Sequence, residues 1–251
     1  MQLITGTSSG LGYGLAEFAL QQGEVVAGIS RRPCPLASNY PHHYFHMELD
    51  LADTQHLAAN LRRQCHLLRD WLQQEQGISQ FPLTLDRVWL NAGVLGRIDD
   101  LQNSTLPELK DVMEVNLWAN KIVIDTIASP DCPFRPKAII AISSGASVNG
   151  SRGWAGYSIS KAALNMLVKL YSQELPEIHC IALAPGLIDT AMQETISGIE
   201  DTETFPALKR LQQARGTGDM PMPLEAAKRI FDSMDLILSQ PSGSFVDIRK
   251  L

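Results

Sequence analysis

Short β-rich apolar runs alternate with longer helical patterns along most of the chain, and this alternation constrains the fold more than any other feature. Strand-like runs fall near Gln2–Thr5, Val25–Ile29, Tyr44–Met47, Arg87–Leu90, Ala138–Ile142, His179–Ala184 and Ser244–Ile248. Helical patterns fill the intervals at Leu11–Gln22, Thr54–Gln74, Leu106–Ala128, Ala155–Gln173 and Leu224–Leu238. Strands separated by helices build βαβ units. The pattern therefore predicts an α/β fold: a doubly wound, seven-stranded parallel sheet (a Rossmann fold) covered on both faces. The 251 residues suit a single domain, with Arg31–Pro41 and Ser129–Pro136 as loops between elements. The polar stretch 187–222, with scattered glycines, interrupts the step from strand to last helix. Lying beyond a strand's carboxyl end, it is a candidate substrate lid; the alternative is an excursion without function.

Composition narrows the function by exclusion. Hydrophobic residues at 45% and charged residues at 19% are ordinary for a globular chain. A net charge of −6 without a long basic run offers no footprint for nucleic acid. Arg62 and Arg63 read as a solvated helix face. No stretch approaches the roughly 18 apolar residues of a membrane span. The N-terminus reads as a strand, not a signal peptide. The four cysteines (Cys34, Cys65, Cys132, Cys180) lack Cys-x-x-Cys spacing and read as reduced thiols of a cytoplasmic protein. No metal site is expected, since a loop entering a strand explains His42, His43 and His46 at least as well.

The first strand runs into Thr5-Gly6-Thr7-Ser8-Ser9-Gly10-Leu11-Gly12, which opens the first helix. Glycines there permit a tight turn and close backbone approach to a pyrophosphate seated at the helix N-terminus. The spacing Gly-x-x-x-Gly-x-Gly differs from the commoner Gly-x-Gly-x-x-Gly. The second strand ends in Ile29-Ser30-Arg31-Arg32, with no Asp or Glu from Val25 through Met47. An acid would bond the adenosine ribose hydroxyls, whereas arginine suits a 2′-phosphate, so NADP(H) is favoured over NAD(H). The alternative is two exposed arginines, with Ser30 serving NAD.

Tyr157 and Lys161 stand four residues apart and share one helix face. A nearby cation favours phenolate, which is expected to lower the Tyr157 pKa and suit it to proton transfer near neutrality. A packed tyrosine beside a surface lysine is the plain alternative, and the neighbouring elements weigh against it. Nearly the whole chain resembles the short-chain dehydrogenase/reductase family. The resemblance is carried by Thr5-Gly6-x-x-x-Gly10-x-Gly12, by Leu90-Asn91-Ala92-Gly93, and by Asn116 in Glu114-Val115-Asn116-Leu117. Ser144, thirteen residues before Tyr157, and Pro185-Gly186-Leu187-Ile188-Asp189-Thr190 complete it. Leu90 replaces the family's first asparagine, and the carboxyl end lacks its Gly-Gly close. That end and the Arg31-Arg32 pair are similar to the sepiapterin-reductase and benzil-reductase-like branch.

The resemblance implies roles. Tyr157 exchanges a proton with the substrate oxygen, Ser144 bonds the same oxygen, Lys161 holds the nicotinamide ribose, and Asn116 holds a water leading from Lys161 to solvent. Ser8, Ser9 and Leu11 of the turn, Asp50, Leu51, Asn91, Ala92 and Gly93 would bind the cofactor's adenosine half. Pro185, Gly186, Ile188 and Thr190 would meet its nicotinamide half. It also implies a homodimer or homotetramer through Leu106–Ala128 and Ala155–Gln173, where Trp118, Ile122 and Val123 are interface or core. Val94, Leu95, Val148, Trp154 and Leu187–Met192 are expected to line an apolar pocket for a ketone, diketone or aldehyde. A non-catalytic NADP(H)-binding redox sensor is the competing reading from another class, and a 3-oxoacyl-thioester reductase the rival within the same class.

Overall fold

The computed structural model describes residues 1–251. In chain order its elements are β1 (Gln2–Thr5), α1 (Gly10–Gln21), β2 (Val26–Ser30), α2 (Leu36–Asn39), β3 (Tyr44–Glu48), α3 (Thr54–Gln76), β4 (Leu83–Leu85) and β5 (Arg87–Leu90). There follow α4 (Leu106–Met113), α5 (Ala119–Ala128), β6 (Phe134–Pro136), β7 (Ala138–Ile142), α6 (Ala155–Glu174) and β8 (His179–Ala184). The chain closes with α7 (Ala191–Ser197), α8 (Pro206–Ala214), α9 (Pro223–Asp232), α10 (Met234–Leu238) and β9 (Phe245–Asp247).

Seven strands form one parallel sheet in the order β3-β2-β1-β5-β7-β8-β9. The expected doubly wound α/β architecture is present. Successive side chains point to opposite sides, and the central strands are buried on both faces. Along β7, Ile139 and Ala141 enter one core while Ile140 and Ile142 enter the other. Along β8, Cys180 and Ala182 alternate in the same way with Ile181 and Leu183. Residues of α3, α5 and α6 cover the first face, and residues of α1, α9 and α10 the second. The strand order reverses between β1 and β5. In such a sheet the crevice for a ligand opens at that reversal, beyond the carboxyl ends of the strands.

Four details depart from the sequence reading. The Ser129–Pro136 loop ends in β6, which pairs in parallel with β4 as a separate two-stranded sheet. Strands of three residues carry too little alternation to be read from sequence. The Arg31–Pro41 loop contains the single-turn α2. The helix expected over Leu106–Ala128 widens into a π turn at Glu114–Trp118. The last helix breaks at Ser233 into α9 and α10.

The polar 187–222 stretch contains two helices, α7 and α8. They bury Ile196, Phe205, Leu208 and Leu211 against Leu95 and Trp154 in a small apolar cluster of their own. No helix is long and apolar enough to cross a membrane.

Candidate active site

A cleft of about 530 Å³ runs along the carboxyl ends of the strands, from Arg31 and Arg32 at one end to Trp154 and Leu211 at the other. Every predicted site residue lines it except Gly12 and Asn116. Its floor begins at the glycine turn, where Gly6 (φ +79°) and Gly10 (φ +59°) adopt left-handed backbone that side chains disfavour. Gly12 works by packing: a Cβ there would stand 2.3 Å from the Gly6 carbonyl oxygen and 2.4 Å from Asn91 Nδ2. Asn91 Nδ2 donates to the Thr5 carbonyl (2.9 Å), while Thr5 Oγ1 accepts from the Asn91 and Ala92 amides (2.9 and 3.0 Å). Asn91 therefore braces the turn. The segment after β8 also returns to it, since Thr190 Cγ2 lies 3.4 Å from where a Gly10 Cβ would be. A cradle that only glycine fits, opening on a helix N-terminus, suits a pyrophosphate. The residues present thus fit a dinucleotide.

At the β2 end of the cleft Arg32 Nη2 donates to Ser9 Oγ at 3.3 Å. Arg31 is exposed and lies 3.9 Å from Asp50, the one acidic residue of the cleft wall. Ser30 Oγ is committed to the Arg32 carbonyl at 2.8 Å.

At the other end α6 brings Tyr157 and Lys161 to the end of β7. Tyr157 is half-buried in the cleft wall, which Ser144 also lines. Burial pushes its phenol above the ordinary value, and the Ser144 hydroxyl pulls it partly back. The expected depression by Lys161 is absent. Lys161 is itself buried, its Nζ donates to the Ile142 carbonyl at 2.6 Å, and it stands 5.7 Å from the centre of the Tyr157 ring. Burial lowers the Lys161 pKa from 10.5 to about 8.

Asn116 is fully buried and does not face the cleft. Its side chain is engaged with the protein: Oδ1 accepts from the Val94 amide (2.8 Å), and Nδ2 donates to the Val94 carbonyl (2.9 Å) and to Ser160 Oγ (3.0 Å). Its backbone carbonyl accepts from Asn120 Nδ2 at 2.8 Å. The Asn116 amide thus fastens the π turn to the segment after β5 that carries Gly93 and to the helix carrying Lys161.

Of the expected pocket residues, Trp154, Val94, Leu187, Ile188 and Met192 line the cleft. Leu95 lies behind the wall, and Asp189 is held by Arg215 at 3.1 Å. Val148 is a correction: the 3₁₀ turn at Gly145–Ser147 carries it outward, and it is 65% exposed. Trp118 is exposed, Ile122 packs partly buried against the core, and Val123 is core. Arg249 was not anticipated. Pairing of β9 with β8 (Ala184 beside Asp247) brings it to the cleft, held by Asp247 through bonds of 2.9 and 2.6 Å. Nothing local in a carboxyl-terminal Arg signals that placement. The four cysteines are all free thiols.

The sequence pattern of the short chain dehydrogenases matches residues 1–200. The chain belongs to this family. It is an oxidoreductase of the branch that includes benzil and sepiapterin reductases. It is 30% identical over 237 residues to a Bacillus cereus benzil reductase ((S)-benzoin forming), covering 91% of each chain. To a sepiapterin reductase of Meriones unguiculatus it is 32% identical over 177 residues, covering 66% of this chain and 64% of that one. The crystal structure of a short chain dehydrogenase/reductase from Saccharomyces cerevisiae shares the fold, with a TM-score of 0.77 at 23% identity over 98% of this chain and 95% of that one.

Proposed function

We propose that the chain is an NADP(H)-dependent carbonyl reductase acting on ketones, diketones or aldehydes with apolar substituents. The observation that carries this reading is the convergence of Ser144, Tyr157 and Lys161 on the same cleft as the glycine cradle. A bound nicotinamide dinucleotide supplies the hydride. The chain's own residues do the rest. Tyr157 gives its phenolic proton to the substrate oxygen in reduction and takes it back in oxidation. Ser144 donates to the same oxygen and stabilises charge developing there. Lys161 is placed to hold ribose hydroxyls, and Asn116 acts by fixing the backbone around it.

Arg31 and Arg32 support NADP(H), because a guanidinium fork matches a 2′-phosphate and stays charged at any working pH. Relatives named for reducing benzil and sepiapterin support a carbonyl as the reacting group. The wall formed by Val94, Trp154, Leu187 and Met192 supports apolar substituents. The α7–α8 segment serves as a lid over this end, closing through its own apolar cluster. Exposed Trp118, Ile159, Met166 and Leu170 on the α5–α6 side support pairing of subunits there.

The deciding experiment follows cofactor oxidation with a panel of carbonyl compounds, using NADPH and NADH in parallel, for wild type and Tyr157→Phe. Neutral aromatic or aliphatic ketones should be reduced, faster with NADPH, and only by wild type. Binding without turnover in both proteins would establish the sensor instead. Equal use of NADH would remove the cofactor assignment, and turnover of only highly charged carbonyls would remove the substrate class.

A further inference from the structure

The ladder between β7 and β8 ends where the Ser143 amide donates to the Leu183 carbonyl at 2.7 Å, so no sheet pairing fixes Ser144. A local turn holds it instead, with Ser144 Oγ accepting from the Ala146 amide at 3.1 Å and its carbonyl from the Ser147 amide at 3.0 Å, and helix α6 braces that turn. Tyr157, Lys161 and Asn165 stand at i, i+4 and i+8, one stripe along the helix. Tyr157 and Ser144 line the same cleft, and Lys161 meets the Ile142 carbonyl. Asn165 takes the residues between and beyond them. Ser143 Oγ donates to Asn165 Oδ1 (2.6 Å), Asn165 Nδ2 donates to Ser147 Oγ (2.8 Å), and Ser147 Oγ donates to the Ser144 carbonyl (2.6 Å).

The direction of this chain is forced by the proton count. Ser147 has one hydroxyl proton and gives it to Ser144, so the residue facing its oxygen must be a donor. Ser143 gives its own proton toward α6, so the residue there must also accept. An amide does both, a carboxylate only accepts, and an alkyl group does neither.

We propose that Asn165 is a positioning residue that holds Ser144 against Tyr157, through Ser143 on one side and Ser147 on the other. The inference rests on the reading of Tyr157 and Ser144 as the reacting pair. Its importance follows from distance: displacing a reacting group by about 1 Å costs on the order of a hundredfold in rate.

The test uses Asn165→Asp, Asn165→Leu and Ser147→Ala, and the double variant Asn165→Asp/Ser147→Ala. Asn165→Asp keeps the bond from Ser143 but forces Ser147 to turn its proton away from Ser144; Ser147→Ala cuts the last link alone. Each should lower kcat about tenfold, and Asn165→Leu up to a hundredfold, with KM for NADPH within about twofold of wild type. The double variant should fall no further than either single, because both cut one chain. The pH limb of kcat should move upward as the Ser144 hydroxyl, which favours the Tyr157 phenolate, is displaced. Unchanged kcat, losses that multiply, or losses that track a fall in Tm would each overturn the inference.

A wild type without turnover would overturn the reading of the site, and amide exchange then judges Asn165 separately. Amides of residues 143–149 exchanging at least about tenfold faster in Asn165→Asp, with the rest of the chain unchanged, support the proposal; unchanged exchange there refutes it.

Discussion

Lys161 Nζ donates a 2.6 Å hydrogen bond to the carbonyl of Ile142, one residue short of the β7–β8 ladder's last bond. This places a buried ammonium at the floor of the cleft with one backbone dipole as its hydrogen-bond partner. The arrangement lowers the Lys161 pKa to about 8. Below that pH the folded and unfolded chains both hold the proton, and the folded state bears the full cost of burying the charge. Between about 8 and the ordinary 10.5 the unfolded chain binds more protons, so this contribution to stability rises with pH.

Lys161→Met should therefore stabilise the fold while abolishing turnover. The lowered pKa corresponds to about 3 kcal/mol of unfavourable burial at neutral pH. Leaving the Ile142 carbonyl without its donor returns about 1 kcal/mol. The net expectation is about 2 kcal/mol, or roughly 4–8 °C in Tm at pH 7 for a chain of this size. The gain should shrink as the melts are repeated toward pH 10. A variant that melts lower than wild type at pH 7 contradicts this account of the site.

Ser144→Ala should act on Tyr157 through charge. Burial raises the phenol and the Ser144 hydroxyl lowers it, so removing the hydroxyl leaves the first effect unopposed. In alcohol oxidation, where Tyr157 must be a phenolate to accept the proton, the rising limb of the pH–rate profile should move to higher pH. The rate itself should fall about 10²–10⁴-fold. A parallel drop with no movement of the limb would mean that Ser144 does not touch the titrating group.

The sequence made the sheet legible because β1, β5, β7 and β8 are buried on both faces, and runs such as Ala138–Ile142 carry no polar residue. Tyr157 and Lys161 were legible for a different reason: a helix turns their fixed spacing into a shared face. Asn165 continues the same stripe, but its partners Ser143 and Ser147 lie beyond the end of β7, and only the packing of α6 on β8 and on the 3₁₀ turn at Gly145–Ser147 pairs them. Arg249 reaches the cleft by strand register, which residue type does not encode. Spacing gives proximity but not the direction of Nζ, so it does not encode that Lys161 leaves the Tyr157 phenol unlowered. The two helices α7 and α8 are short, and their buried residues face each other and Trp154, so they leave little apolar signature among the polar residues of 187–222.

Gly12→Ala should remove cofactor binding by geometry alone. The added methyl would overlap backbone, 2.3 Å from the Gly6 carbonyl oxygen, with no flexible side-chain end to give way. Helix α1 must shift against the turn, which typically costs about 1–3 kcal/mol and here also deforms the pyrophosphate cradle. NADPH affinity, read by fluorescence titration, should fall by more than about tenfold. Gly218→Ala is the control, since nothing lies within 4 Å of its Cβ position. Full NADPH affinity in Gly12→Ala would place the cofactor elsewhere.

Arg32→Ala should separate the two nicotinamide cofactors. Arg32 already bonds Ser9 in the glycine turn, so its guanidinium sits between the second strand and the cradle, where the adenosine ribose of a dinucleotide would lie. Hydrogen bonds to charged groups contribute about 1.5–3 kcal/mol each, which corresponds to a rise of roughly 10–100-fold in KM for NADPH. KM for NADH should barely move, because NADH presents no 2′-phosphate. Arg31→Ala should have the smaller effect: its side chain is 70% exposed and shares its charge with Asp50 at 3.9 Å. Salt should imitate both substitutions. Attraction between exposed arginines and a phosphate is screened within about 10 Å at 0.1 M ionic strength, so the NADPH advantage should narrow as salt is added. An NADPH-to-NADH ratio indifferent to both arginines and to salt would refute the assignment of this end of the cleft to a 2′-phosphate.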